Sequence, residues 1–202
     1  MNNLKKYYKN QFKKYGPTLN GVGWSKKKKS TKRYKVLLKI LKFKSKKKIF
    51  SILDVGCGYG KLIDYLPKNF KYNYTGIDIV QDMIEYAKKK NQSKNCNFYK
   101  KDVLKITKRY DFIICNGVFT LKNNLNEKKM REFVLKCLNK FNKHSNIGFS
   151  FNLMSEIVDY KSNILFYPDK DFIINFLKKK KYSEIVFDDK SVKFEKFYFI
   201  KK

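Results

Sequence analysis

Apolar residues along the chain fall into short runs, and amphipathic segments with helical spacing separate most of these runs. The runs predict five strands, at residues 49–55, 72–79, 97–103, 110–119 and 146–154. The amphipathic segments predict helices at residues 81–90, 127–142 and 169–179. Two alternating runs predict a closing antiparallel hairpin, at residues 182–187 and 193–200. Strands that alternate with helices indicate an α/β fold with a mostly parallel sheet and helices on both faces.

Two further amphipathic segments precede the first predicted strand. Residues 3–15 and 31–43 each carry an apolar face, and Gly16, Pro17 and a glycine-rich stretch separate them. We expect residues 1–45 to form an N-terminal helical cap and residues 46–202 to form a single globular domain with the sheet. The cap is either a packing element or a lid that keeps water out of a site.

The first predicted strand ends in an acid and continues into a glycine turn. Asp54 is followed by Gly56, Gly58 and Gly60, and a segment with helical spacing comes next. Glycines allow a sharp turn and close approach of a ligand to the main chain. Asp78 ends the second predicted strand, where a carboxylate can accept hydrogen bonds from ribose hydroxyls. The pattern predicts a nucleotide-type cofactor site, although its glycine spacing differs from the dinucleotide fingerprint.

The composition indicates one globular domain. The chain has 202 residues, 43% of them hydrophobic, and no apolar run approaches the roughly 20 residues of a membrane span. The N-terminus lacks the apolar segment of a signal peptide. The four cysteines contain no CxxC pair and His144, the single histidine, lies in a polar segment. We therefore expect reduced thiols, no metal site and an exposed His144. We also expect a cytoplasmic protein that is a monomer or a dimer.

The net charge of +31 raises the possibility of a nucleic-acid partner. Only three of the 48 basic residues are arginines, which are the residues that fork onto phosphates and bases. The lysine runs fall at predicted helix ends and linkers, and they are not confined to one face. We therefore interpret the charge as a compositional bias of a solvated surface, and a nucleic-acid partner as possible but not favoured.

The segment Asp54-Val55-Gly56-Cys57-Gly58-Tyr59-Gly60 resembles the first motif of class I S-adenosylmethionine (SAM)-dependent methyltransferases, which are enzymes. The element order from residue 49 to residue 202 also resembles theirs. The resemblance implies a Rossmann-like seven-stranded sheet in the order 3-2-1-4-5-7-6, with strand 7 antiparallel. It also implies SAM as the cofactor.

The resemblance also implies which residues bind SAM. The glycine turn would hold the methionine part, and Asp78 the ribose. Asp102 and Val103 would contact the adenine, and Asn116 and Gly117 would line the methyl-transfer face. The implied cofactor residues of the sheet domain are Asp54, Gly56, Cys57, Gly58, Gly60, Asp78, Ile79, Asp102, Val103, Asn116 and Gly117.

The N-terminal stretch resembles small bacterial members of this family, in which Gly-x-x-Trp-x-Ser precedes a helix that carries an arginine. Here the residues are Gly21, Trp24, Ser25 and Arg33. Trp24 and Arg33 are therefore added to the expected cofactor site. A guanidinium can hold the SAM carboxylate through two hydrogen bonds, and the alternative for Arg33 is a surface ion pair.

The methyl acceptor is less well specified. The sequence from Asn116 to Phe119 departs from the (Asp/Asn)-Pro-Pro-(Tyr/Phe) motif of enzymes that methylate amino groups of nucleic acids. We expect a small-molecule or glycan acceptor with a hydroxyl group, and the alternatives are an RNA methyltransferase and a non-catalytic SAM-binding protein. Possible acceptor contacts are Tyr7, Tyr15, Asn152, Tyr160 and Tyr167.

Overall fold

One seven-stranded sheet organises the computed structural model, which describes residues 2–24, 27–43 and 48–202. The strands are β1 Phe50–Val55, β2 Tyr72–Asp78, β3 Cys96–Lys100, β4 Tyr110–Cys115, β5 Ser145–Met154, β6 Glu184–Asp188 and β7 Glu195–Lys201. Their order is β3-β2-β1-β4-β5-β7-β6, and β7 runs antiparallel to both of its neighbours. The predicted Rossmann-like sheet is confirmed.

Five α-helices accompany the sheet in the described part of the chain. They are α1 Asn2–Tyr15, α2 Lys27–Leu37, α3 Gln81–Lys90, α4 Glu127–His144 and α5 Lys170–Lys178. Short 3₁₀ helices add further turns, among them Leu38–Phe43, which continues α2. Within the described ranges, no helix has the combination of length and hydropathy that crossing a membrane requires.

The helix expected after the glycine turn is only a short 3₁₀ helix, Lys61–Tyr65. Leu66 leaves the helical conformation, with φ −62° and ψ 137°. Pro67 explains this end, because a proline disfavours helical geometry in the residue before it.

Two hydrophobic clusters cover the two faces of the sheet. Leu53 and Ile113 point to the face that α4 and α5 cover, whereas their neighbours Ile52 and Phe112 point to the other face. That second face packs against α2, α3 and the 3₁₀ helix Leu38–Phe43. The central strands are apolar on both faces because each face is buried under helices.

Helix α1 belongs to a third, smaller cluster. Its Phe12 is 8% exposed and packs with Tyr59 of the glycine turn, and with Val80 and Met83 around the start of α3. This contact seats α1 above the carboxyl ends of β1 and β2. The cap therefore lies over the edge of the sheet at which the sequence predicts the site.

The end of α4 corrects the expectation for His144. The helix includes this residue, whose side chain is buried, and its Nδ1 lies 3.1 Å from the carbonyl oxygen of Lys108. Strand β5 starts at the next residue, Ser145. No polar loop separates the two elements, so His144 packs inside the helix–strand junction.

We expect Gly148→Ala to destabilise the fold. A Cβ atom at Gly148 would lie 2.3 Å from the backbone oxygen of Ile200, within the β5–β7 ladder, whose register begins at the pair Gly148 and Lys201. Backbone cannot move aside there without breaking the ladder, so the cost should be about 1–3 kcal/mol in the free energy of unfolding. Urea denaturation measures it, with Asn97→Ala on an exposed edge position as the control. Equal urea midpoints for the two variants would contradict the clash.

Candidate functional site

A cleft opens at the carboxyl ends of β1, β2 and β4, beneath the N-terminal cap. Its empty space is about 980 Å³, including the part that is open to solvent. The structure brings most of the sequence-predicted cofactor residues to this cleft: Trp24, Asp54, Gly56, Cys57, Gly58, Asp78, Ile79, Val103, Asn116 and Gly117. Such a position, where neighbouring parallel strands end, is where ligands bind in open α/β sheets.

Asp54 is the most enclosed acid of the cleft. Its side chain is 2% exposed, and the Tyr74 hydroxyl donates a hydrogen bond to its Oδ2 at 2.6 Å. Burial raises the pKa of Asp54 to about 7, the Tyr74 hydrogen bond opposes this rise, and the nearby Asp78 adds to it. Burial thus disfavours the ionised form of the Asp54 carboxyl group, and a cation in the cleft would favour that form.

Asp78 fastens the glycine turn to the end of β2. The amide of Gly58 donates to Oδ2 at 3.0 Å, and the amide of Val80 donates to Oδ1 at 2.9 Å. Burial raises the pKa of Asp78, and these backbone donors oppose the rise. A carboxylate has about four acceptor sites, so Asp78 keeps acceptor capacity for a ligand in the cleft.

The glycines of the turn are required by their conformation and by their neighbours. Gly56 has φ +70° and a Cβ there would lie 2.3 Å from Cγ2 of Val118. Gly58 has φ +53° and a Cβ there would lie 3.1 Å from Cγ1 of Val22. Gly60 has a similar φ of +78° but is not part of the cleft wall, so its role is in the turn.

Asn116 brings an unused polar group to the cleft. Its side chain is 7% exposed, and neither its Oδ1 nor its Nδ2 has a hydrogen-bond partner among the described residues. A buried amide without partners is costly. Because Asn116 also lines the cleft, a ligand that both donates and accepts hydrogen bonds would satisfy it.

The cap supplies cleft residues that sequence reasoning missed. Leu4 and Tyr8 of α1 line the cleft, as do Val22 and Tyr34. Leu4 and Tyr8 are four positions apart and share one face of the helix, so helical spacing could have identified them. Lys101 is the one Lys or Arg side chain among the described residues that line the cleft. The other additions are Val55, Tyr59, Ile77, Met83, Val118 and Phe133.

The structure gives Arg33 a different partner from the predicted SAM carboxylate. Its Nε donates to both carboxylate oxygens of Glu195 at 2.8 Å. Its guanidinium lies over the Trp24 ring, with Cζ 4.7 Å from the ring centroid. Arg33 does not line the cleft, although Trp24 does. Glu195 is nearly fully buried, so the pair is internal and is not the alternative surface ion pair either.

The five expected acceptor contacts lie away from the cleft wall. Tyr15 is 38% and Tyr160 is 82% exposed, and the Tyr167 hydroxyl accepts a hydrogen bond from the amide of Ser162. Tyr7 does not line the cleft, whereas its neighbour Tyr8 does. Asn152 is fully buried behind the cleft wall, where its Oδ1 accepts the amide hydrogen of Gly117 at 2.8 Å.

Asp102 lies between two residues of the cleft wall, Lys101 and Val103, but is not itself part of it. Its Oδ1 accepts the amide hydrogen of Leu104 at 2.9 Å and caps a 3₁₀ helix. Its role in adenine recognition stays a prediction.

Comparisons with known sequences agree with this geometry. The profile of a family described as "Methyltransferase domain" matches residues 52–140. A protein of Mycobacterium tuberculosis that is named as a methyltransferase is 32% identical over 141 residues, which are 68% of this chain and 83% of that protein. The malonyl-[acyl-carrier protein] O-methyltransferase of Bacillus cereus is 37% identical over 95 residues, 45% of this chain and 35% of that enzyme. The chain thus spans about a third of the length of that second relative.

Solved structures resemble the fold over the whole chain. The magnesium protoporphyrin IX methyltransferase of Synechocystis, with bound S-adenosylhomocysteine (SAH), has a TM-score of 0.73 at 13% identity and covers 100% of this chain and 99% of its own. The N-methyltransferase NodS of Bradyrhizobium japonicum, also with SAH, has a TM-score of 0.71 at 15% identity, and the coverage is 99% and 98%. The chain therefore belongs to the class I SAM-dependent methyltransferases, and SAM is its cofactor.

Proposed function

We propose that the cleft binds SAM between Asp54 and Asp78 and that the methyl acceptor is a small molecule or a glycan with a reactive oxygen. The observation that supports this most directly is the position of the two acids. They end neighbouring strands, flank a glycine turn and line one cleft together.

Asp78 would bind the ribose of the cofactor. The amides of Gly58 and Val80 hold its carboxylate in a fixed orientation, so little side-chain freedom is lost when a ligand binds. The remaining acceptor positions suit two neighbouring hydroxyl donors. Gly58 leaves the main chain open on the same side of the cleft.

Asp54 would favour the positively charged methionine end of SAM. A buried carboxyl group with a raised pKa gains most from a cation nearby, because the cation stabilises its ionised form. Tyr74 keeps the carboxyl group in place through its hydroxyl hydrogen bond.

The aromatic side chains of the cap would exclude water and hold the acceptor. When bound, SAM supplies an electrophilic methyl group, so the protein contributes alignment and a dry site. Tyr8, Trp24 and Tyr34 close the cleft on the cap side, and Phe133 lines it as well. The unpartnered Asn116 amide would orient a polar group of the acceptor.

An oxygen acceptor agrees with one comparison. The Bacillus cereus relative is named as an O-methyltransferase, and it matches this chain over 95 residues. The RNA alternative has less support, because the cleft wall in the described chain carries one lysine amid several aromatic residues. A deep aromatic cleft fits a compact acceptor better than a polyanion.

We expect Asp78→Asn to weaken SAH binding by roughly ten- to hundredfold, which corresponds to the loss of charged hydrogen bonds. Isothermal titration calorimetry with SAH measures the dissociation constant. Asp171→Asn, which alters an exposed acid of α5, is the matched control and should leave the affinity unchanged. Equal affinities for the two variants would exclude a ribose-binding role for Asp78.

We expect SAM to bind more weakly as the pH falls below 7. The pKa of Asp54 is about 7 in the unliganded chain, and a bound cation requires its ionised form, so binding releases a proton in this range. The amino group of SAM, with an ordinary pKa of about 7.7–8.0, stays protonated there. Calorimetry at pH 6.5 in buffers of different ionisation enthalpy detects the released proton. Tyr74→Phe should move the effect to higher pH, and a pH-independent affinity from 5.5 to 7 would contradict it.

We expect the purified protein to transfer the methyl group of labelled SAM to a low-molecular-mass or glycan component of a cell extract. Nuclease treatment of the extract should leave the labelled product unchanged, and Asp78→Asn should reduce it strongly when SAM is not saturating. Label that disappears after nuclease treatment would favour the RNA alternative instead.

A further inference from the structure

A buried ion pair lies behind the cleft wall and joins the cap to the last strand. Arg33 of α2 binds Glu195 of β7 through its Nε, and its terminal Nη2 also contacts the same carboxylate. The two residues are 162 positions apart, and their side chains are 16% and 2% exposed. A buried ion pair is weak support for stability by itself, because desolvation offsets the attraction.

The ion pair continues to the loop after β4. Glu195 Oε2 accepts a hydrogen bond from Asn152 Nδ2 at 3.0 Å, and Asn152 Oδ1 accepts the amide hydrogen of Gly117 at 2.8 Å. An asparagine amide has one donor end and one acceptor end. Because Glu195 binds the donor end of the Asn152 amide, the acceptor end faces Gly117. This hydrogen bond holds Gly117 in place, and Gly117 directly follows Asn116.

A second contact reaches the same glycine from the cap. The Arg33 guanidinium stacks on Trp24, and a Cβ at Gly117 would lie 3.1 Å from Cζ2 of the Trp24 ring. Gly117 has φ +75°, so it combines a left-handed backbone with close packing against the ring. Both branches of contacts from Arg33 therefore converge on Gly117.

We infer that Arg33 and Glu195 are positioning residues for the acceptor side of the site: they hold Trp24 and the Asn116–Gly117 loop without contacting the cofactor. This inference rests on the proposed function only where it assigns that side of the cleft to the acceptor. Arginine is needed because lysine cannot both fork onto a carboxylate and stack on a ring. Thr120 holds Gly117 from its other side, since its hydroxyl donates to the Gly117 carbonyl oxygen at 2.8 Å.

The chain contains a matched control for this experiment. Arg131 also stacks on an aromatic ring, that of Phe172 at 4.7 Å, and forms ion pairs with Glu127 and Asp169. Its side chain is 30% exposed and lies on α4, away from the cleft. Arg33→Lys and Arg131→Lys therefore remove the same kind of contact at two different places.

Three measurements on the full chain test the inference. Trp24 is the single tryptophan, so its emission and its quenching by acrylamide report the cleft wall. Hydrogen exchange reports the Gly117 amide, and calorimetry gives the SAH affinity. Arg33→Lys and Glu195→Gln should move Trp24 emission to longer wavelength, increase quenching and speed Gly117 exchange by about tenfold or more. The SAH affinity should stay within about twofold, and Arg131→Lys should change none of these.

Two results would overturn the inference. Unchanged Trp24 emission and Gly117 exchange in folded Arg33→Lys protein would leave the ion pair without a positioning role. A tenfold or greater loss of SAH affinity in the same variant would assign the guanidinium to the cofactor carboxylate instead. If neither variant folds, hydrogen exchange of the Gly117 amide is measured in the wild-type protein. Fast exchange would contradict the inference, and slow exchange would support it. Absent SAH binding by wild type would count against the proposed function alone, because the first two readouts need no ligand.

Discussion

Removal of two neighbouring acids from water is the constraint on which the site depends. Adjacent parallel strands end at the same edge, so β1 and β2 place Asp54 and Asp78 side by side. Burial reduces the hydration of both carboxyl groups and raises both pKa values, and the charge of Asp78 adds to the rise at Asp54. A tyrosine hydroxyl and backbone amides compensate in part. The two carboxylates still lack part of their hydration, and a ligand with a positive charge and hydroxyl groups can replace it.

The two halves of the cleft are built in different ways. The half that we propose for the cofactor, the cofactor half, uses main-chain geometry: a glycine turn, amides and strand ends, all close together in sequence. The half that we propose for the acceptor, the acceptor half, uses α1, α2 and the loop after β4, which Asn152 of β5 and Glu195 of β7 hold from behind; these elements meet only in the folded chain. The geometry of the first half therefore follows from local sequence, whereas that of the second half follows from the tertiary fold.

Most of the fold and the cofactor half could be predicted because both depend on local patterns. Apolar runs and helical spacing located the strands, and the acids at the ends of β1 and β2 followed from them. The contact of Arg33 with Glu195 could not be predicted, because the two residues are 162 positions apart and no local signal links them. For the tyrosines of α1 the docking of the helix matters, because Tyr7 and Tyr8 are adjacent and the face that Tyr8 shares with Leu4 is the one that lines the cleft.

The attachment of α1 has a consequence for how ligands enter. Among its described side chains only Phe12 is buried, in a cluster much smaller than the two that cover the sheet. Segments with few buried contacts open at a lower free-energy cost than the core does. Release of Phe12 would withdraw Leu4 and Tyr8 from the cleft while the sheet stays intact. Entry and exit of ligands would then depend on how readily Phe12 leaves its contacts with Tyr59, Val80 and Met83.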